Sequence, residues 1–308
     1  MRVSVLLSSF NGEDYIVEQL NSIKNQTMRI DEVVIVDDCS TDRTVEYANR
    51  FIVENNLLDS WKIYQNEINK GWKQNFIDGI KLTTGDFIFF SDQDDFWFQD
   101  KVEILVSRFI EHPDISVIAT GETLWTGESV DSYKSTISGE NFPRFYDKEN
   151  NFLIHCSGCT MGIRRSYYKK IIKYYCDGWA HDDFFWKMGI VDESLLLLKG
   201  STILHRIHGK NESRKKRDKN STVKGLKDSI FICDHIISYL SSNLIENDSK
   251  DRNLRILHCE KSTAQLRLEL IEEKKYYLFF ALLFRLRSYR RRRQLIGDLL
   301  LAVDLKIH

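Results

Sequence analysis

Three groups of acids in this 308-residue chain stand where carboxylates can do chemistry. The densest is Ser91-Asp92-Gln93-Asp94-Asp95, directly after the apolar run Phe87-Ile88-Phe89-Phe90. Carboxylates set this way suit a hard divalent ion, Mg2+ or Mn2+, which in turn neutralises a diphosphate. Acids can also simply cap a following helix, but three of them without a basic neighbour favour the ion. The second group is Asp37-Asp38 in VDDCSTDRT, after the apolar Val33–Val36. The third is Asp182-Asp183 among Trp179, Phe184, Phe185 and Trp186. An acid held against apolar rings has its pKa raised, which suits a general base. The plainer alternative is a helix N-terminus whose acids complement the dipole.

The elements that must position these groups follow from periodicity. Val3–Leu7, Glu32–Val36, Trp61–Tyr64, Asp86–Phe90 and Ile115–Ala119 read as strands. Helical patterns alternate with them: Ile16, Leu20 and Ile23 share one face, and Val45, Ala48 and Ile52 another, with Ser40 and Thr41 as the cap of the latter helix. A third helix is expected over 71–82 and a fourth from Lys101. Such βαβα alternation with apolar strands predicts an α/β fold with a mainly parallel sheet covered on both faces. Ligands of such sheets bind beyond the carboxyl ends of the strands. Those ends are Ser8–Asn11, Asp37–Asp38 and Ser91–Asp95. Neither G-x-G-x-x-G nor a P-loop lysine occurs, so phosphate is handled by other means.

SVLLSSFNGEDYIVEQLNSIKNQT, VDDCSTDRT and SDQDDFW, in this order, resemble the family 2 glycosyltransferases of GT-A (Rossmann-like) fold. The resemblance covers roughly 1–210 and implies transfer of a sugar from a nucleoside diphosphate with inversion at the anomeric carbon. It assigns the base and ribose of the donor to the Asp37/Asp38 pair, Asp38 first, with Ser8, Phe10 and Glu13 lining the base pocket. Asp92 and Asp94 resemble the D-x-D metal site, Asp94 as the more direct ligand of Mn2+ or Mg2+. Asp182 matches the base that deprotonates the acceptor, with Asp183 as its fallback. Leu204–Asn211 is similar to the family's R-x-H-G-x-N segment, so His208 is expected at the metal and Arg206 at the diphosphate. Gly158, Cys159 and Thr160 resemble the stretch that approaches the acceptor, although a tight turn explains the glycines equally well. The combination looks most like a rhamnosyltransferase-type branch using dTDP-L-rhamnose, with UDP-hexose as the alternative donor. A catalytically silent sugar-nucleotide-binding protein is the rival from another class.

The formal net charge of -1 hides a split: residues 1–200 carry a net -11 and 201–308 a net +10. Two domains are therefore expected, a catalytic one over 1–210 and a helical one over 211–308, with helices at 226–245, 253–273 and 276–286. Stretches 126–151 and 210–220 read as a mobile loop and a linker. The apolar aromatic run 276–284 is too short to span a bilayer. Followed by RLRSYRRRR, it reads as a membrane-surface element over 276–293, which would bring the enzyme to a lipid-linked saccharide acceptor. A solvated helix end and nucleic-acid binding are the alternatives, and no nucleic-acid partner is expected. The N-terminus MRVSVLLSSFNGEDY has no A-x-A-like cleavage site and reads as the first strand. Six irregularly spaced cysteines, Cys156-x-x-Cys159 included, suggest reduced thiols rather than disulfides or a metal site. The expected location is cytoplasmic, on the inner face of the bacterial membrane.

Overall fold

A computed structural model describes residues 1–142, 154–209, 218–242, 248–289 and 292–304. The chain begins with β1 (Val3–Ser9), α1 (Ile16–Lys24), β2 (Glu32–Asp37), α2 (Thr44–Glu54), β3 (Trp61–Gln65), α3 (Trp72–Ile80) and β4 (Phe87–Asp92). The strands β5 (Phe96–Trp97), β6 (Val117–Trp125), β7 (Gly139–Asn141) and β8 (Gly162–Arg164) follow, with α4 (Lys101–Glu111) between β5 and β6. Then come α5 (Arg165–Ile171), α6 (His181–Val191) and β9 (Leu195–Arg206). The sheet order is β3-β2-β1-β4-β8-β6-β9-β5, with β7 paired to β9.

β1, β2 and β4 are buried almost throughout, as strands covered on both faces must be, whereas the edge strand β3 alternates. Helix faces complete the core: Ile16, Leu20 and Ile23 of α1, Ala48 and Ile52 of α2, and Val102, Leu105, Val106 and Phe109 of α4 pack into one cluster with Val5, Leu7 and Phe89. Pairing β1 between β2 and β4 creates the switch point at which open α/β sheets bind ligands. The parallel register sets Ser9 opposite Asp37 and Ser8 opposite Asp92. Three motifs far apart in sequence thus end on one line.

The parallel arrangement expected from the alternation holds for β3-β2-β1-β4. Beyond β4 the sheet is mixed, because β8 runs antiparallel to both β4 and β6, while β6 and β9 are parallel. A strand as short as β8 carries no periodic signal, and periodicity does not report direction. The cap of α2 also differs from expectation. Ser40 Oγ instead donates to Asp37 Oδ1 at 2.6 Å, and Asp42 accepts from the backbone N of Thr44 at 2.9 Å.

The described residues fall into two compact units. The first holds 1–142, 154–173 and 180–209, and so all the elements above. The second holds 174–179 and the described residues from 218 onward. In it α7 (Lys219–Ser242), α8 (Asp248–Glu272), α9 (Leu278–Leu283) and α10 (Gln294–Ala302) bury Leu226, Ala264, Leu270, Ile271, Leu282, Leu295 and Leu301. Arg267 of α8 grips Asp298 of α10 through Nε at 2.6 Å and Nη2 at 3.1 Å. No described helix is long and apolar enough to cross a membrane. Residues 143–151 of the expected mobile loop and 210–217 of the expected linker lie outside the described residues.

Candidate active site

The carboxyl ends of β1 and β2, where the donor is expected, are built from satisfied hydrogen bonds. Asp37 is buried and accepts from Ser9 Oγ at 2.9 Å, Ser40 N at 2.8 Å and Ser40 Oγ at 2.6 Å. Asp38, equally buried, accepts from Asn66 Nδ2 at 2.9 Å, Lys70 N at 2.8 Å and Gly71 N at 2.7 Å. Asp37 thereby closes the turn after β2, and Asp38 holds the loop after β3. Gly71, at φ +82°, adopts a backbone that side chains resist. From α3, Asn75 donates to Ser8 Oγ at 2.7 Å and Val36 O at 2.8 Å. Phe10 is exposed, and its backbone N and O are clasped by the Gln93 amide at 2.8 and 2.9 Å. Glu13 accepts from Arg43 N at 3.1 Å and lies beside the Asp42 turn.

The acids after β4 are in a different state. Burial, then the charges of Asp95 and Asp94, push Asp92 up to about 8. Asp94 is raised by burial and by Asp95, while His208 Nε2, 2.7 Å from Asp94 Oδ2, works the other way. Asp95 Oδ1 accepts from Arg206 N at 3.2 Å and lies 3.0 Å from His205 Nδ1, which is pushed up to about 9 chiefly by that contact. Asp95 Oδ2 is buried with no hydrogen-bond partner among the described residues. Three carboxylates crowded out of water, with His208 beside one of them, form a donor set that fits a divalent cation. Its charge would offset the burial and the mutual repulsion that raise Asp92 and Asp94.

Asp95, Cys159 and His205 also bring ligand atoms within 4.8 Å of one another. Burial holds the Cys159 thiol well above its ordinary range, and the buried ammonium of Lys101 lies beside it. This trio reads as an internal network, and Asp92, Asp94 and His208 are the residues that could hold a cation. Lys101 Nζ donates to Cys159 O at 2.6 Å and sits 3.7 Å from the centroid of the Trp97 ring. Burial depresses it to about 7. A lysine opening a helix reads as solvated in sequence, so Lys101 was not legible. Nor was Tyr15, whose ring stacks on His208 at 4.8 Å and faces the Arg206 guanidinium at 4.9 Å. Arg206, expected at the diphosphate, is sandwiched between Tyr15 and Trp125, paired with Glu18 and bonded to Asp94 O at 2.9 Å.

Asp182 and Asp183, the expected base and its fallback, lie in the first turn of α6. Asp182 is pushed up to about 6 by burial and then by Asp183, and its Oδ1 accepts from Asp183 N at 2.8 Å. Its charge is also among the causes that raise Asp92, so the two acids share one electrostatic environment. Asp183 is instead ion-paired with Lys187, one turn on. His181 packs at a tilt against Phe76, ring centroids 4.0 Å apart, and is driven by burial to about 3, hence neutral. A Cβ on Gly158 would come within 2.6 Å of its Nε2, so glycine is required for this approach. Gly158–Thr160 form a 3-10 turn closed by Thr160 Oγ1 donating to Ser157 O at 2.8 Å. All three residues are buried, and the Cys159 thiol lies in the Asp95 network.

A family model, glycosyl transferase family 2, matches residues 4–172. Among relatives, the chain is 34% identical over 116 residues to the poly(ribitol-phosphate) beta-N-acetylglucosaminyltransferase TarS of Staphylococcus aureus, covering 36% of this chain and 19% of TarS. It is 27% identical over 170 residues to the glycosyltransferase GlyA of Streptococcus pneumoniae, 55% of this chain and 20% of GlyA. The chain thus spans about a fifth of each of these longer proteins. An uncharacterized Haemophilus influenzae glycosyltransferase is 28% identical over 289 residues, 88% of this chain and 84% of its own. In fold, the chain is similar to S. aureus TarS 1–349 in complex with UDP-GlcNAc, at TM-score 0.67 and 20% identity, over 99% and 89% of the two chains. It is also similar to the mannosyltransferase PcManGT of Pyrobaculum calidifontis in complex with GDP-Man and Mn2+, at TM-score 0.57 and 15% identity, over 98% and 86%. The mixed α/β sheet with its acid-lined switch point is thus GT-A-like, and the chain belongs to glycosyl transferase family 2.

Proposed function

We propose that the protein is an inverting glycosyltransferase that moves a sugar from a nucleoside diphosphate to a saccharide hydroxyl. The observation that carries this is the crowding of Asp92, Asp94 and Asp182, each of which burial holds above its ordinary range, with Asp182 among the charges that raise Asp92. The nucleoside lies along Ser8, Phe10, Glu13 and Asp38, with Asp37 and Asn75 fixing the pocket walls. Asp92, Asp94 and His208 would hold Mn2+ or Mg2+, whose charge, when bound, stabilises the departing diphosphate. Asp182 accepts the proton of the acceptor hydroxyl. The oxygen then bonds to the anomeric carbon as the bond to the β-phosphate breaks on the opposite face. Asp183, neutralised by Lys187, orients the start of α6. Arg206 steadies the Asp94 loop, and Gly158 and Thr160 shape the acceptor side.

UDP-sugars are the first donors to test, because the TarS structure similar in fold is a complex with UDP-GlcNAc. dTDP-L-rhamnose, suggested by SDQDDFW, is the second. Incubating the chain with each donor and Mn2+ or Mg2+, and following nucleotide release by chromatography, tests the reading. Metal-dependent release from one donor and an inverted anomer by NMR are expected; release from none sinks it.

The second unit supplies a surface for the acceptor's membrane. Tyr277, Phe280 and Phe284 are 67%, 68% and 93% exposed, next to exposed Arg287, Arg292 and Arg293. Aromatic and cationic side chains together suit anionic headgroups, so the enzyme is read as peripheral to the inner membrane face. Sedimentation with phosphatidylglycerol vesicles, lost on Phe280→Ser/Phe284→Ser, is the expected result.

A further inference from the structure

The six tryptophans divide unevenly. Trp61, Trp97, Trp125, Trp179 and Trp186 are at most 4% exposed, whereas Trp72 is 39% exposed. An indole is a large apolar surface that folding normally hides, so one left in water on a rigid support stands out. Its support is rigid here. Lys70 N and Gly71 N, immediately before it, are both tied to Asp38, and Asn75, on the same first turn of α3, is tied to Ser8 Oγ and Val36 O. The Trp72 ring meets His181 edge-on at 6.2 Å, and His181 packs at a tilt against Phe76 of α3. His181 directly precedes Asp182, so the exposed ring stands beside the residue assigned to take the acceptor's proton. Lys73 Nζ lies 5.8 Å from the ring centroid, leaving a polar rim to an apolar plate.

A pyranose matches such a plate, since one face of the ring presents C–H bonds and its edges present hydroxyls. We propose that the exposed face of Trp72 is the stacking platform for a pyranose ring of the acceptor, an acceptor subsite next to Asp182. This rests on the acceptor side of the transfer reading. Asn75, three residues on in the same helix, serves the Ser8 pocket, so the donor's nucleobase is the rival occupant that the test must separate from a pyranose.

Iodide quenching of intrinsic fluorescence tests the subsite without any need for turnover. Iodide reaches exposed indoles, so the full chain should show one quenchable component, lost in Trp72→Phe with its circular dichroism unchanged. Methyl pyranosides of glucose, galactose, mannose, N-acetylglucosamine and rhamnose are then added singly, and UDP alone in a parallel arm. At least one pyranoside should shield the quenchable component in the parent and have no effect in Trp72→Phe, with UDP leaving it open. Quenching that survives Trp72→Phe, shielding by no pyranoside, or shielding by UDP in their place would overturn the proposal. Failure of every donor in the nucleotide-release assay would sink the transfer reading while leaving this quenching result standing, so the two failures are distinguishable.

Discussion

The donor turn and the acid-lined mouth use the same side chain to opposite ends. Asp37 and Asp38 are buried, yet each accepts three hydrogen bonds from its own scaffold. Asp92, Asp94 and Asp182 are held with fewer such donors and against one another, and all three are raised. A carboxylate satisfied by backbone N–H groups organises a loop. One left in a crowded, poorly solvated mouth is poised for a cation or a proton. The contrast lies in surroundings that adjacent residues in sequence do not reveal.

The largest expected effect separates the two groups by rate. Asp182→Asn should lower kcat for transfer by about 10²–10⁴-fold, the usual contribution of a general base, with the fold intact. Steady-state kinetics beside a thermal melt checks this, and a rate within a few-fold of the parent would return the role to Asp183. The pH profile sharpens the point. A base pushed up to about 6 must be ionised to act, so the rate should fall about tenfold per unit as pH drops below about 6.

Stability should order the two groups the other way. Asp37→Ala strands donors of Ser9 and Ser40, at a cost of about 1–3 kcal/mol in denaturant titrations. Asp182→Asn should instead gain stability at pH 7. Its folded pKa lies above the unfolded one, so the folded state holds the proton more tightly. Stability from this group is complete below about pH 4 and declines as pH rises through about 6, by up to about 3 kcal/mol. A smaller effect is expected of Tyr15→Leu, which frees His208 and Arg206 from one shared ring and should weaken cation binding about 10-fold, as loss of a supporting contact does at metal sites.

Much of the first unit was legible because its first four strands are long, apolar and separated by amphipathic helices. β1, β2, β4 and α1 fall within a few residues of their expected spans. The short antiparallel strands were not, since β8 and β5 are set by pairing partners rather than by their own pattern. The motif acids were readable as a set, and the resemblance gave each a role, yet the surroundings that satisfy Asp37 and Asp38 and raise Asp92 and Asp182 were not. The network of Lys101, Cys159 and Asp95 joins residues 58 and 64 positions apart, which only the folded sheet brings together. Arg206 shows the opposite limit: its type suits phosphate, but Tyr15, Trp125 and Glu18 already hold it.

The most direct measurement is of free Mn2+ by electron paramagnetic resonance, as the chain is titrated with UDP present. The parent should remove the free-ion signal, Asp94→Asn should leave most of it, and Asp37→Asn should behave as the parent does. Equal uptake by the parent and Asp94→Asn would contradict the assignment of the crowded carboxylates to a cation and, with it, the division between the two regions.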